Sequence, residues 1–269
     1  MFGGEGADDI EAGDGDDIVD GLAGDDEIIG GLGTDALFGG NGDDTLYAAE
    51  ETRDPSVQDS ENLAFGGAGN DALYGGSAQD VLLGGSGDDT IEGREGDDII
   101  WLHNNAQITP PQFFQEIDNA YATVDAILTQ IGAPDPITDT FELSKELSEG
   151  GIAQSFAGPA GADTIVFHKG DNSDSIYNFS SDDGFEIHGY DRENAVFVIL
   201  NPIPTGLPTT NQTAKVVFYE THEQAAIARK GIAEGGDINA YLDGQTGDQF
   251  IFFDSFAPDI QLDDWVWGL

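Results

Sequence analysis

Two stretches decide the fold: Gly39-Gly-Asn-Gly-Asp-Asp-Thr-Leu-Tyr47 and Gly84-Gly-Ser-Gly-Asp-Asp-Thr-Ile-Glu92. Stepping outward by nine residues recovers GGEGADDIE, AGDGDDIVD, GLAGDDEII and GGLGTDALF from Gly3, Ala12, Gly21 and Gly30. The same step finds GGAGNDALY, GGSAQDVLL and GREGDDIIW from Gly66, Gly75 and Gly93. The sixth position is always aspartate: Asp8, Asp17, Asp26, Asp35, Asp44, Asp71, Asp80, Asp89 and Asp98. The eighth is always aliphatic, at Ile10, Val19, Ile28, Leu37, Leu46, Leu73, Leu82, Ile91 and Ile100. A solvated Gly/Asp linker has no reason to hold aspartate and aliphatic residues in phase, so the period is structural.

Glycines let the first part of each unit turn sharply and aim backbone carbonyls at one point. The aspartate adds a hard anionic oxygen, and Ca²⁺ takes six to eight such oxygens in flexible geometry. The last three residues then form a very short strand with one aliphatic side chain facing inward, stacked on its counterpart in the next coil. The candidate ligands are the nine aspartates together with the carbonyls of Gly4, Gly6, Gly13, Gly15, Gly24, Gly31, Gly33, Gly40, Gly42, Gly67, Gly69, Gly76, Gly85, Gly87 and Gly96.

Each turn reverses the chain, so two units make one coil and turns on one side recur every eighteen residues. Ions shared between turns are expected for Asp8/Asp26, Asp26/Asp44 and Asp80/Asp98 on one side, and for Asp17/Asp35 and Asp71/Asp89 on the other. That geometry gives roughly five to eight Ca²⁺ ions. Without metal, carboxylates about 4 Å apart would repel by about 4 kcal/mol per pair at an effective dielectric near 20.

The segments resemble the GGxGxDxUx repeat of the RTX, or hemolysin-type calcium-binding, proteins over residues 3–101. The resemblance implies a right-handed parallel β-roll, export by a type I secretion apparatus and calcium-triggered folding outside the cell. Ala12, Leu22, Ala78 and Arg94 depart from its glycine pattern. The expected fold is mainly β: a parallel β-roll with a helical insertion or cap and a β-rich C-terminal region.

Composition agrees with this reading. The 269 residues carry 53 Asp plus Glu against 8 Lys plus Arg, a formal net charge of −45. So few cations disfavour nucleic acid and anionic membranes as partners. Cysteine is absent, which removes disulfides, zinc-thiolate sites and thiol nucleophiles. The first residues have neither a basic stretch nor an apolar one, unlike a Sec signal peptide, and the longest apolar run, residues 195–200, is too short to span a bilayer.

Three domains are expected: the roll at 1–101, a helical insertion or cap at 102–157, and a C-terminal part at 158–269. Residues 48–65 interrupt the roll for the length of two units. They form one degenerate coil, or loop out so that Asp44 approaches the turn of Asp80. Alternatively they keep only Asn62–Phe65 as a strand, which swaps sides for everything after it. Pro55 and the polar run favour a partly looped excursion. Between Pro110 and Gly132 an apolar stripe (Phe113, Phe114, Ile117, Tyr121, Val124, Leu128) reads as an amphipathic helix that caps the roll, with a weaker helix near 141–148.

The repeat returns at residues 158–166 and, frayed, at 169–177, with Asp163 and Asp174 at the ligand phase and Asp163 a candidate calcium ligand. Strands are expected at 184–190, 195–200, 214–220 and 249–254, and a helix at 222–233. The tail, 262–269, resembles the C-terminal export signals of the family and reads equally as a closing strand.

No catalytic machinery is recognisable. His103, His168, His188 and His222 are scattered, no G-x-S-x-G elbow or phosphate loop occurs, and the carboxylates are too many to single out an acid–base pair. The expected function is therefore a secreted calcium-binding protein, not an enzyme, with a polysaccharide or a cell surface as the candidate partner. The alternative is the C-terminal accessory region of a secreted protease, lipase or polysaccharide epimerase, or an adhesin.

Overall fold

The computed structural model describes residues 1–49, 60–103, 161–199, 212–235, 241, 247–253, 262 and 265–268. The helices expected at 110–131 and 141–148 lie outside these residues.

Each unit contributes a strand, and successive strands fall alternately on two sheets. The first sheet is built from β1 (Phe2–Glu5), β3 (Ile18–Ala23), β5 (Ala36–Asn41), β7 (Leu63–Ala68), β9 (Val81–Ser86) and β11 (Ile99–His103). The second holds β2 (Asp9–Asp14), β4 (Glu27–Leu32), β6 (Thr45–Tyr47), β8 (Ala72–Tyr74) and β10 (Thr90–Glu92). All these pairings are parallel. Most of the strands run to six residues rather than three, because the first residues of the following unit stay in the ladder: Leu22 pairs with Gly40, and Gly40 with Gly67. Only β6, β8 and β10 keep the expected three-residue length.

The eighth-position side chains form the core. Val19, Ile28, Leu37, Leu46, Leu73, Leu82, Ile91 and Ile100 are completely buried in one file between the sheets. At roughly 2 kcal/mol for each such side chain, this file is the main apolar contribution to the roll.

The interruption resolves into the third of the three arrangements. Leu63, Ala64 and Phe65 pair with Ala36, Leu37 and Phe38, so β7 follows β5 after 27 residues instead of 18. Asn62 stands at the aspartate position and Ala64 at the aliphatic one, completely buried. One unit's worth of chain is thus left out of the coil count, and every later unit changes sides. Asp44 consequently meets Asp71 and not Asp80. The pair Asp80/Asp98 lies on the side of Asp17/Asp35, while Asp71/Asp89 continues the side of Asp8, Asp26 and Asp44, which corrects the expected assignment of sides.

Both sheets continue beyond the repeats. β12 (Thr164–His168) pairs with β10, β13 (Ser173–Tyr177) with β11, and β14 (Gly184–His188) with β12. β17 (Gln249–Phe253) then lies parallel to β13, and antiparallel β16 (Gln212–Phe218) and β15 (Ala195–Ile199) complete that sheet. β18 (Val266–Trp267) closes the other sheet against β14. Aromatic residues replace the aliphatic file here: Phe167, Phe185, Phe218, Phe250, Phe252 and Trp265 interlock, with Phe167 and Phe250 edge-to-face at 4.6 Å. The helix α1 (His222–Ala233) starts at a Thr221/Gln224 capping box and buries Ala225 and Ala228. They share an apolar cluster with Val196, Val198 and Val217.

Candidate metal centre

The reversal of the chain at each turn places the sixth-position aspartates in two columns, one along each edge of the roll. In the first column the backbone N–H of Asp8 donates to Asp26 Oδ1 at 2.8 Å, Asp26 to Asp44 at 2.8 Å, Asp44 to Asp71 at 2.9 Å and Asp71 to Asp89 at 2.9 Å. The column runs on from Asp89 to Asp163 and from Asp163 to Asp183, both at 3.0 Å. The second column reads Asp17, Asp35, Asn62, Asp80, Asp98 and Asp174, linked the same way.

Beyond Asp8 and Asp17, which open the columns, one oxygen of each carboxylate is therefore used by the preceding coil. The other is buried: Asp26, Asp44, Asp71, Asp89 and Asp98 are at most 2% exposed, and Oδ2 of each, with that of Asp8, lacks a hydrogen-bond partner. A buried anionic oxygen with no donor is costly. A column of them calls for cations. Burial and the neighbouring carboxylates push Asp44 and Asp71 up to about 7 and Asp89 up to about 9. Burial, with Asp174 next, raises Asp98 well above the ordinary carboxylate range.

Glycine is required around these oxygens for want of space. A Cβ on Gly66 would collide with Asp71 Oδ2 and lie 2.7 Å from the Gly84 carbonyl oxygen. Gly21, Gly39 and Gly84 are crowded in the same way by Asp26, Asp44 and Asp89. Positions two and four need glycine for a second reason, a left-handed backbone, as at Gly40 (φ 115°) and Gly42 (φ 132°). Leu22 (φ 78°) and Arg94 (φ 70°) adopt that conformation without being glycine. The Arg94 guanidinium stands over the Tyr47 and Tyr74 rings, 5.9 and 5.4 Å from their centroids.

The turn of Asp80 is built differently. Neither Gly76 nor Ala78 has a left-handed backbone, the Gly76 N–H donates to Asp80 Oδ2 at 2.5 Å, and the Gly76 carbonyl accepts from the Glu95 N–H at 3.2 Å. Gly76 was a candidate carbonyl ligand, yet here its oxygen is engaged within the protein. Asp183 is similarly closed by the Ser180 N–H at 2.7 Å.

Two features escape the glycine pattern. Asp183 extends the first column without any glycine before it, but Asp183-Gly-Phe185 keeps the aspartate–x–apolar phase that would have revealed it. A second ladder runs the other way at the fifth position: Thr34 N–H donates to Asp16, Asp43 to Asp25, Asn70 to Asp43, Asp88 to Asn70 and Ala162 to Asp88. These side chains brace the outside of the turns while the sixth-position carboxylates brace the inside.

Among the described residues, no three His, Asp or Glu side chains converge as a metal cluster. The donor set that fits is one of hard oxygens, with carboxylates from stacked turns and glycine carbonyls, suited to Ca²⁺ and not to softer metals. His168 and His188 stack on each other at 4.2 Å, with Glu92 and Asp171 beside His168 Nδ1 at 3.6 and 3.8 Å. Among the described residues no helix is long and apolar enough to cross a membrane.

No curated protein matches the chain. Among solved structures, the extracellular lipase LipA from Serratia marcescens aligns over 99% of this chain at 16% identity with a TM-score of 0.28, and the chain spans 40% of that protein's length. The profile of the RTX calcium-binding nonapeptide repeat matches residues 2–37, 29–50 and 65–100. Residues 2–50 and 65–100 thus match the RTX calcium-binding nonapeptide repeat, and the described part of them is wound into a parallel β-roll.

Proposed function

We propose that the chain is a secreted calcium-dependent module whose roll assembles when several Ca²⁺ ions enter the turns after export. The observation that carries this reading is the column of buried, donorless Oδ2 atoms at Asp8, Asp26, Asp44, Asp71 and Asp89. Each ion would take carboxylate oxygen from these residues and carbonyl oxygen from glycines of the stacked turns. The ions supply the positive charge that a chain of net charge −45 lacks. Before export, at the low calcium of the cell interior, the same carboxylates keep the repeats extended, a form suited to passage through a type I secretion apparatus.

Outside the cell the ordered roll serves as a folding and binding module rather than a catalyst, with a polysaccharide or a cell surface as its partner. Support for the non-catalytic role is that the buried aspartates of the columns are occupied in stacking coils, which leaves them poorly placed to act on a substrate. The test is a far-UV circular dichroism titration of the full chain. At pH 9, EDTA should abolish the roll's β signal and about 1 mM Ca²⁺ should restore it. An unchanged spectrum after chelation, with no calcium found by elemental analysis, would overturn the proposal.

A further inference from the structure

The side swap at Asn62 makes the two edges of the roll unequal. On the first edge, Asp8, Asp26, Asp44, Asp71 and Asp89 follow one another without a break, and each has a buried Oδ2 that no donor reaches. This column passes straight across the interruption, since Asp44 is joined to Asp71. On the second edge, the rung between Asp35 and Asp80 is Asn62, a neutral amide that fits the hydrogen-bond ladder but brings no charge to a cation. Its amide N–H₂ donates to the Ser60 carbonyl at 2.9 Å.

The next rung is closed from within. Asp80 Oδ2 accepts from the Gly76 N–H, and the Gly76 carbonyl accepts from Glu95. The two oxygens that would otherwise face an ion are both used. Ala78 stands here in place of the fourth-position glycine, and the turn takes the left-handed backbone at neither Gly76 nor Ala78, with the Gly76 N–H on the carboxylate. The same edge also carries a fixed cation, Arg94, 6% exposed and held against Tyr47 and Tyr74 at the ends of β6 and β8.

We propose that the two edges load calcium unequally: the edge of Asp8, Asp26, Asp44, Asp71 and Asp89 is an unbroken row of calcium turns, while the opposite edge has a built-in calcium-free gap at Asn62 and Asp80. This rests on the calcium reading above. Calcium on the first edge alone then ties the two repeat blocks together across the interruption. The second edge is held there by protein hydrogen bonds and stays ordered around the gap at lower calcium.

The experiment counts bound calcium by elemental analysis on the full chain, equilibrated at saturating calcium and freed of excess by gel filtration. Asp80→Asn should keep the wild-type count of ions, even though its amide N–H₂ would face the Gly76 N–H and cost stability. Asp44→Asn, on the first edge, should lose at least one ion and need more calcium to fold. Asn62→Asp combined with Ala78→Gly should gain at least one ion, and this gain decides the matter even if Asp80→Asn fails to fold. Equal losses for Asp80→Asn and Asp44→Asn, or no gain in the double variant, would overturn the asymmetry. A wild-type count of zero would instead overturn the calcium reading itself, so the two failures are distinguishable.

Discussion

Replacing Asp71 with asparagine should change the roll's stability with opposite signs in the absence and presence of calcium. Asp71 Oδ1 accepts the Asp44 N–H at 2.9 Å, a bond that the asparagine oxygen can keep. Its Oδ2 is buried beside Gly66 and has no donor. Burial, and then Asp44 and Asp43, push the carboxyl from 3.8 up to about 7. Holding it ionised above that pH costs up to about 4 kcal/mol at 1.36 kcal/mol per decade, and water entering a metal-free turn lowers this to about 1–3 kcal/mol. The unfolded chain ionises near the ordinary value, so the folded state binds the extra proton. The stabilisation this proton provides is complete below pH 4 and is lost as the pH rises through about 7, and through about 9 for Asp89. In EDTA the roll should therefore be ordered in acid and loosen on the alkaline side, and Asp71→Asn should move that loosening to higher pH. In calcium the same substitution removes a ligand that lies between two stacked turns and should raise the calcium needed for folding. Circular dichroism followed from pH 4 to 9 in EDTA, and against calcium at pH 8, reads both effects. If the variant loosens at the same or a lower pH in EDTA, charge burial is not what keeps the metal-free roll apart.

Four further outcomes follow from the same contacts. In acid the metal-free roll holds protons on Asp44, Asp71 and Asp89 that calcium must displace, so calcium affinity should fall from pH 8 to pH 5. Calorimetry in buffers of different ionisation heat should show proton release near pH 5 that disappears at pH 8, where the extended chain is already ionised. Gly66→Ala should cost about 2–4 kcal/mol in urea unfolding, because its methyl meets Asp71 Oδ2 and the Gly84 carbonyl. By contrast Gly170→Ala, which is left-handed but in open space, should cost only about 1 kcal/mol. Leu22→Gly should stabilise the calcium-loaded roll by up to about 1 kcal/mol by relieving a left-handed leucine, whereas Arg94→Gly should not, since it also removes the guanidinium from Tyr47 and Tyr74. Phe250→Ala should cost about 3–5 kcal/mol in thermal or urea unfolding while leaving the calcium count intact.

The roll was legible because one nine-residue phase serves two demands. The aspartate must face the turn and the residue two places later must face the core, so a pattern such as Asp89-Thr-Ile91 states both at once. The strands at 195–199 and 249–253 and the helix at 222–233 were legible from ordinary alternation and capping. The sides of the roll were not, because the two edges use the same motif and nothing in a single unit says which edge it occupies. Asn62-Leu-Ala64 decided that, and it hides its role by replacing aspartate with an amide and the aliphatic residue with alanine. The closed turn at Asp80 was half visible: Ala78 announced a missing glycine, but the swing of the Gly76 N–H onto the carboxylate is a three-dimensional consequence.

That the fold accepts such an interruption has a physical cause. Removing or adding nine residues moves a unit to the opposite edge, yet it leaves every inward side chain inward, because both sheets draw their core residue from the same position. A slip of one residue within a unit would turn aspartates into the core or the aliphatic file out to water, at roughly 2 kcal/mol for each side chain misplaced. The spacing between units, by contrast, is free to vary, as the 74 residues from Asp89 to Asp163 and the 20 from Asp163 to Asp183 show. Taking one unit's length out of the coil is therefore nearly free for the core while it re-pairs the carboxylate columns. In this chain it joins Asp44 to Asp71 and sets Asn62 between Asp35 and Asp80. The core is indifferent to the change of edge, and the charge pattern is not, which is why the consequence of the interruption should appear in calcium binding before it appears in the stability of the aliphatic file.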